Sequence, residues 1–458
     1  MGVERLYDTI LECIDWRYSA AIVGLIKYFN FSNDMYEKIQ YEQGEEFISF
    51  HQEDIFMERY LAFVEEYYKE DMFHKKVEEQ LFYSKFDEDA IKQINEWLRG
   101  NKVMQDVFGK LKFDGTNKDT ILKTIENNRQ IIVQETFRYK KYVNFCHKTL
   151  LGEEEQPHCR LVGYNVDEGR KSKSTAYLFQ NNLFVGKDRL EFDFIPFAFT
   201  NTYDAFFINN NMNIETLYHT NQHIQRKIKE EHTQDNVMEV LFEEMMVSAE
   251  FLDYDVEVIV KSRNKKFFES LYIRKSAIDK LKKLENLKGI SFSIKVTEDY
   301  YLPIGSEVIH CILNDLKVDS LIYFLLKEEE KKKGGEFSYQ FAIQKLITVN
   351  QIIKEEAAMT EQMKGAYKSA ISCTEKLTSQ NKENKIKSYK QKLISAIVVE
   401  DYDRVNVVLL QLSEYSETPF PFLYDLFEDF EQNKEIALTF INTLGYKGKE
   451  EMGGKIYE

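Results

Sequence analysis

The chain has 458 residues, 43% of them hydrophobic, and a formal net charge of −16. This length exceeds what a single hydrophobic core usually serves, so we expect two or three domains. Five cysteines, an odd number without a CxxC pair, argue against a disulfide framework and favour a reducing compartment, so the expected location is cytoplasmic. The acidic first residues and the short apolar run at 20–26 predict neither an export signal nor a membrane anchor.

Charge is sorted by segment along the chain. Residues 1–100 hold 22 acidic and 11 basic residues, a net charge of −11, whereas residues 261–295 hold 3 and 11, a net charge of +8. Residues 364–392 hold 2 acidic and 8 basic residues, and residues 400–435 hold 10 and 2. The negative average disfavours nucleic-acid binding, but the two basic segments offer local cations to phosphates and the acidic ones suit other partners.

The first region, residues 1–150, is predicted to be mostly helical and acidic. Apolar residues recur at helical spacing over 14–28, 56–67 and 121–139. Near Pro157 the helical spacing of apolar residues gives way to alternation of apolar and polar residues, and the second region begins.

Residues 151–326 are predicted to form an α+β region. Alternating apolar and polar residues predict short strands at 161–166, 177–179, 183–185 and 190–194. Further on, a strand, a helix and a second strand are expected.

The strand–helix–strand unit carries most of the +8 charge. Alternation predicts its strands at 256–260 and 290–296. Ser276 and Asp279 form a capping box that opens the helix between them, and Gly289 closes it.

Residues 327–335, with the sequence KEEEKKKGG, are predicted to be a linker. Helical spacing over 336–447 predicts a C-terminal bundle. The expected fold class is α+β, with a helical N-terminal region, a central mixed α/β region with short sheets, and a C-terminal helical bundle.

The sequence contains no linear motif for catalysis: no phosphate loop, dinucleotide fingerprint, HExxH or GxSxG. His219 and His223 lie four apart on a predicted helix, as zinc ligands do, but the glutamate of the metalloprotease pattern is missing. Solvated helix histidines are the simpler interpretation.

Two other groups have ligand chemistry. Cys146 with His147 and His158 with Cys159 are ligand types for zinc, but neighbours in sequence rarely point at one ion. Buried cysteines acting as small hydrophobes are the simpler interpretation. The second group resembles the strand of a metal-dependent nuclease, although its lysine follows the glutamate by four residues instead of two. It consists of Asp253, Asp255, Glu257 and Lys261.

The basic segments are the stronger candidates, because basic residues among aromatic ones suit a nucleic-acid backbone with stacking bases. An ordinary solvated face is the alternative. The candidates in the strand–helix–strand unit are Lys261, Arg263, Lys265, Lys266, Lys280, Lys282 and Lys283, with Phe267, Phe268 and Tyr272 between them. Those in the bundle are Lys385, Lys387, Lys390 and Lys392. The acidic segment that follows is expected to face solvent or a basic protein partner.

Three stretches resemble the large subunit of the CRISPR-associated Cascade effector complex, in the type I-B branch whose members often carry a doubled CxxC motif. They are IDWRYSAAIVGLIKYF, IPFAFTNTYDAFFINNN and ALTFINTLGYKGK, and the resemblance spans most of the chain. The doubled CxxC is absent, and Cys146 and Cys159 lie about where it is expected. We therefore expect no metal and no cofactor.

The resemblance implies a non-catalytic subunit of CRISPR antiviral defence. Such a subunit helps hold guide RNA near its 5′ end, recognises the short motif beside the target in duplex DNA, and admits the helicase-nuclease that cuts. The implied partners are guide RNA, target duplex DNA, other Cascade subunits and the helicase-nuclease, with no membrane. The C-terminal bundle would resemble the small subunits that line the DNA strands.

The residue chemistry adds two expectations to this role. Amides carry both donors and acceptors, so Asn209, Asn210 and Asn211 are candidates for reading base edges, although a tight turn is the alternative. Candidates for phosphate contacts in the polar loop EGRKSKST are Arg170, Lys171 and Lys173.

Two other classes of function stay open. One is a metal-dependent nuclease or hydrolase that uses the acidic strand or the two helix histidines. The other is a protein scaffold that binds no nucleic acid.

Overall fold

A computed structural model describes residues 7–83, 86–147, 149–152, 159–163, 188–210, 213–230, 255–284, 287–298, 300–332 and 338–446. The chain groups into two compact units. Unit 1 comprises residues 1–237 and 255–272, and unit 2 comprises residues 238–254 and 273–458. Helices predominate and the sheets are short, which confirms the expected α+β class with its C-terminal helical bundle. The division into regions at 150 and 326 stays a prediction.

In the part of the chain that the structure describes, no helix has the length and apolar character needed to cross a membrane.

Unit 1 opens with strand β1 (Thr9–Glu12) and helix α1 (Trp16–Phe29). Asp15 caps α1, since its carboxylate accepts a bond from the backbone N–H of Arg17 at 2.8 Å. The other helices of its described part are α2 (Met57–Tyr67), α3 (Phe73–Leu81), α4 (Glu88–Trp97), α5 (Lys102–Phe108), α6 (Lys118–Phe137), α7 (Val143–Phe145), α8 (Ile195–Ala198) and α9 (Ile214–Glu230).

Aromatic side chains form the main core of unit 1. The ring of Tyr60 lies edge-on to those of Phe194 and Phe197, at 5.2 and 5.8 Å between centroids, and Phe137 stacks on Phe197 at 5.7 Å. Phe194 belongs to a 3-10 helix, Leu190–Phe194, where alternation predicted a strand. That prediction is wrong, because Phe192 and Phe194 are both buried and even the intervening Asp193 points into the protein.

The described part of unit 1 also contains two small sheets. In the first, β3 (Phe47–Phe50) pairs antiparallel with β1 and with β2 (Glu42–Gln43). In the second, the order is β4 (Asp204–Asn209), β5 (Val256–Ser262), β6 (Glu269–Ile273), with Phe206 opposite Val260. The predicted strand at 256–260 is confirmed.

The first described helix of unit 2 is α10 (Lys275–Leu284), which confirms the predicted helix and buries its Ile278 and Leu281. It begins at Lys275, so Ser276 lies inside the helix and the predicted capping box does not open it. The expected second strand is β7 (Ser293–Lys295), but it pairs with β8 (Tyr301–Pro303) and not with β5. The strand–helix–strand segment therefore does not form one sheet.

The rest of the described part of unit 2 is helical. The predicted linker is wrong at its start, because Lys327–Lys331 continues a helix that buries Leu321, Ile322, Leu325 and Leu326. The helices are α11 (Ile304–Leu313), α12 (Asp319–Lys331), α13 (Gln340–Ile353), α14 (Glu361–Ser379), α15 (Glu383–Val398), α16 (Tyr402–Ser416), α17 (Leu423–Glu428) and α18 (Phe430–Thr443).

Candidate nucleic-acid interface

A cavity of about 380 Å³ in unit 1 brings cationic side chains together. We name it the basic pocket. Its lining residues are Arg138, Tyr142, Val143, Asn144, Cys146, His147, Val162, Lys261, Arg263, Lys265 and Lys266. None of these described lining residues is acidic. The volume falls in the range that holds a small ligand or part of a larger one.

The first wall of the basic pocket is an irregular stretch of helix. After α6 the backbone widens into a π-helix, Arg138–Tyr142, before it returns to α7. Single π turns inside helices occur often at functional sites, since the extra residue redirects the side chains that follow it. Here the turn places Arg138, Tyr142 and Val143 on the pocket.

The opposite wall is the turn between β5 and β6. Lys261 stabilises this turn. Its buried ammonium group donates to the carbonyl oxygen of Ser262 at 2.9 Å and to the carbonyl oxygen of Lys265. The predicted role of Lys261 in phosphate binding is therefore corrected: its donors are used to shape the turn.

Gly163 sets how closely a neighbouring segment approaches this turn. Its φ of +81° lies in the left-handed region, and a Cβ there would lie 3.1 Å from the carbonyl oxygen of Lys266 and 3.2 Å from Cα of Phe267. A side chain would have to push the turn, so glycine permits the observed packing.

The rim of the basic pocket carries the accessible charge. Arg263, Lys265 and Lys266 are exposed, as is Arg138. Lys265 lies 2.5 Å from the half-buried Glu269, and Arg138 lies 3.6 Å from the half-buried Glu135. Surface pairs of this kind contribute little free energy, so both cations can exchange their carboxylate for a phosphate.

The positive charge of Arg263 also affects Lys141, a residue outside the rim. Burial lowers the pKa of Lys141, and the positive charge of Arg263 lowers it further, against the opposing ion pair with Asp71 at 3.0 Å. Arg263 also lies with its guanidinium carbon 5.7 Å from the ring centroid of Tyr203, a cation–π contact.

A buried ion pair fixes the position of Tyr142, one of the residues that line the basic pocket. Arg160 and Asp193 are buried and lie 2.6 Å apart, and the hydroxyl of Tyr142 donates to the same carboxylate at 2.6 Å. The backbone N–H of Leu151 donates to it as well, at 2.6 Å, and Asp188 lies 3.0 Å from Arg160. Because every charge has partners, the network holds Tyr142, and with it the π-helix, in one position.

The sulfur and histidine candidates form no metal centre in what the structure describes. Cys146 and Cys159 are buried free cysteines, and burial raises the pKa of the Cys146 thiol well above its usual value. His158 lies outside the described residues. His219 and His223 are exposed on α9. Among the described residues, no three His, Cys, Asp or Glu side chains could hold one metal ion.

The acidic candidates of a nuclease are engaged with neighbours. The phenol of Tyr272 donates to Asp255 at 2.9 Å, and Asn209 donates to Glu257 at 2.7 Å. Asp253 lies outside the described residues.

The asparagine candidates are placed inside the protein. Asn209 ends β4 and is buried, and Asn210 is buried beside Thr220, whose hydroxyl lies 3.5 Å from its amide nitrogen. The predicted reading of base edges is corrected for these two, because neither side chain is accessible to a base. Asn211 lies outside the described residues, as do Arg170, Lys171 and Lys173.

Two lysines of unit 2 are also used internally. Lys280 is buried and lies 2.5 Å from Asp315. Lys390 donates to the carbonyl oxygens of Asn442 and Leu444, at 3.2 and 2.8 Å, and so caps α18, while burial lowers its pKa to about 8. Their predicted phosphate contacts are corrected. Lys282 is half-buried and Lys283 is exposed.

The remaining bundle candidates, Lys385, Lys387 and Lys392, are exposed on α15. Lys385 and Lys392, seven residues apart, lie on one side of the helix and are named the lysine face, whereas Lys387 lies on another side. Lys392 lies 5.3 Å from the ring centroid of Tyr389, which in turn lies 5.9 Å from that of Tyr415. Ammonium groups beside aromatic rings suit a single strand.

Sequence reasoning missed one wall of the basic pocket. Arg138, Tyr142 and Asn144 were not candidates, because 121–139 matched an ordinary amphipathic helix. A signal was present in the run RYKKY at 138–142, where three basic residues interrupt the apolar pattern.

The chain was compared with known proteins. A family model described as CRISPR-associated protein Csx8 matches residues 7–444, nearly the whole chain. No curated protein and no solved structure matches it.

Proposed function

The chain belongs to the CRISPR-associated Csx8 family, and from this premise we propose that it is a non-catalytic, nucleic-acid-binding subunit of a Cascade-type effector complex in the cytoplasm. In this proposal it acts as the large subunit. It contacts the 5′ end of guide RNA and the motif beside the target in duplex DNA, together with other Cascade subunits, and it admits the helicase-nuclease.

The basic pocket is the observation that carries the proposal. In a chain with a net charge of −16, four exposed cations converge on one cavity whose described lining residues include no carboxylate. Phosphates are the common ligands for such an arrangement, because lysine and arginine gain free energy by releasing the counterions of the nucleic acid.

The walls of the basic pocket add apolar surface and hydrogen-bonding groups to the charges of the rim. Tyr142, Val143 and Val162 provide apolar surface, and Asn144 provides an amide for hydrogen bonds. A backbone phosphate at the rim with part of its nucleotide in the cavity satisfies both kinds of surface.

The lysine face of α15 supports a second contact in unit 2. Its two ammonium groups lie on one side of the helix, where they accompany a strand without fixing its sequence. Because fewer cations converge there, we expect it to contribute less affinity than the basic pocket.

The test reverses charge at the rim. The triple variant Arg263→Glu, Lys265→Glu, Lys266→Glu is assembled into the complex, and binding to target duplex is measured at fixed salt. We expect the affinity to fall on the order of tenfold or more. The matched control is Lys102→Glu, Lys110→Glu, Lys112→Glu, three exposed lysines of the same unit away from the basic pocket.

The control decides the interpretation. If both triple variants weaken binding equally, the loss reflects net charge and the assignment of the pocket is wrong. If the rim variant binds as the wild type does, the proposal fails for this site. The same reversal at Lys385 and Lys392 measures the lysine face separately.

The non-catalytic part of the proposal has its own assay. Purified protein is incubated with plasmid and magnesium or manganese, and we expect no cleavage. Cleavage that disappears in Asp255→Ala would replace the proposal with the nuclease alternative.

A further inference from the structure

The acidic segment 400–435 presents apolar side chains to solvent. On α16, Val407 and Leu410 are 49% and 47% exposed, and on α17, Tyr424 and Phe427 are 81% and 52% exposed. Scattered exposed apolar residues are common, so exposure alone means little. These four differ because each pair shares one face of its helix and the two helices pack on each other.

The spacing on α16 is regular. Asp403, Val407, Leu410 and Glu414 lie at intervals of four, three and four residues, which puts them on one face, opposite the buried Val405, Leu409 and Leu412. We name these four residues the acid-ended stripe. At a rise of 1.5 Å per residue its two carboxylates lie about 16 Å apart along the helix.

Charge decides what can cover this stripe. A nucleic acid is repelled, since residues 400–435 hold 10 acidic and 2 basic residues. A second copy is disfavoured as well, because a two-fold contact sets the same patch against itself and brings acidic ends together. A protein surface with an apolar ridge between basic residues complements both the centre and the ends.

We infer that the acid-ended stripe is a docking surface for a partner protein whose apolar ridge is flanked by Lys or Arg. The inference does not use the basic pocket, so the two can fail independently. In chemical terms the partner buries Val407 and Leu410 and pairs its cations with Asp403 and Glu414.

The first experiment identifies what lies on the stripe. A photoreactive benzoyl-phenylalanine replaces Val407 in the full-length chain, cells of the native host are irradiated, and the crosslinked peptide is sequenced by mass spectrometry. We expect a peptide of another protein in which apolar residues lie between lysines or arginines. A crosslink to RNA or DNA, a crosslink confined to this chain, or no crosslink overturns the inference.

The second experiment measures the contact. Val407→Lys with Leu410→Lys removes the apolar centre and repels a basic partner, and recovery of the crosslinked protein with the purified chain is expected to fall about tenfold or more. The matched control is Ser372→Lys with Ser395→Lys, at exposed positions on α14 and α15. Retention of the partner by the stripe variant, or equal loss in the control, contradicts the inference.

A charge-only variant separates the two contributions. Asp403→Asn with Glu414→Gln keeps the apolar centre, so we expect about a tenfold weaker association at low salt and a difference that shrinks at high salt. A difference from the wild type that does not change with salt would mean that the carboxylates do not pair with the partner.

Discussion

Positive charge is used differently in the basic pocket and in the C-terminal bundle. At the pocket rim, Arg263 and Lys266 are exposed beside other cations. In the bundle, Lys354 lies 2.5 Å from Glu435, and the buried Lys434 lies 2.7 Å from Asp319 and 3.0 Å from Glu431. The net charge of a segment therefore does not tell where its cations can act: accessibility and the nearest carboxylate decide it.

The largest effect is expected where a bundle lysine is removed. Lys434→Met leaves Asp319 without its buried cation, so the free energy of unfolding of unit 2 should fall by about 3 kcal/mol in a urea titration. Lys385→Met, on the lysine face, is the control and should change it by less than about 0.5 kcal/mol. Equal effects at the two positions would break the comparison.

The next effect depends on pH. Burial lowers the pKa of Lys390 to about 8, against 10.5 for a free lysine, so below pH 8 the folded state holds the ammonium group at a cost that the unfolded state does not have. Unfolding then takes up a proton between these values, and stability rises with pH through this window.

The difference between wild type and Lys390→Met isolates this residue. We expect the stability of the wild type, relative to the variant, to increase by about 2 kcal/mol between pH 7 and pH 10. A constant or decreasing difference would show that the buried lysine titrates normally, and the contrast between bundle and pocket would lose this support.

The smallest effect is expected at one rim residue. Arg263→Gln removes a single phosphate contact, so the slope of log affinity against log salt for the complex should become less steep by about 0.9. Lys110→Gln, an exposed lysine of unit 1 outside the basic pocket, should leave the slope unchanged. An unchanged slope for Arg263→Gln would place the strand elsewhere on the surface.

Periodicity predicted much of the fold because amphipathic helices such as α1 and α10 form from local patterns. It failed at Leu190–Phe194, where the alternation of apolar and acidic residues matched a strand. There Asp193 is buried by its ion pair with Arg160, a partner distant in sequence. No local pattern contains that information.

Only one of the two walls of the basic pocket could be predicted from the sequence. The turn after β5 combined basic and aromatic residues and was identified, but its partner at 138–147 lies more than a hundred residues earlier, and only folding brings the two together. The sequence also did not show which lysines have their ammonium groups buried. Lys261 and Lys390 lie in basic segments, as the accessible lysines do. Their ammonium groups donate to backbone carbonyl oxygens, whose positions depend on the fold and cannot be read from the local sequence.

Gly163 has a consequence for natural variation. Its positive φ and its closeness to the turn at Lys266 and Phe267 make any side chain there strained and tightly packed, although the residue carries no charge and no reactive group. Random mutagenesis selected for loss of immunity should therefore return substitutions at this glycine alongside those at the cations. Among related chains, the glycine should persist wherever the basic turn does, and vary freely where the turn has been lost.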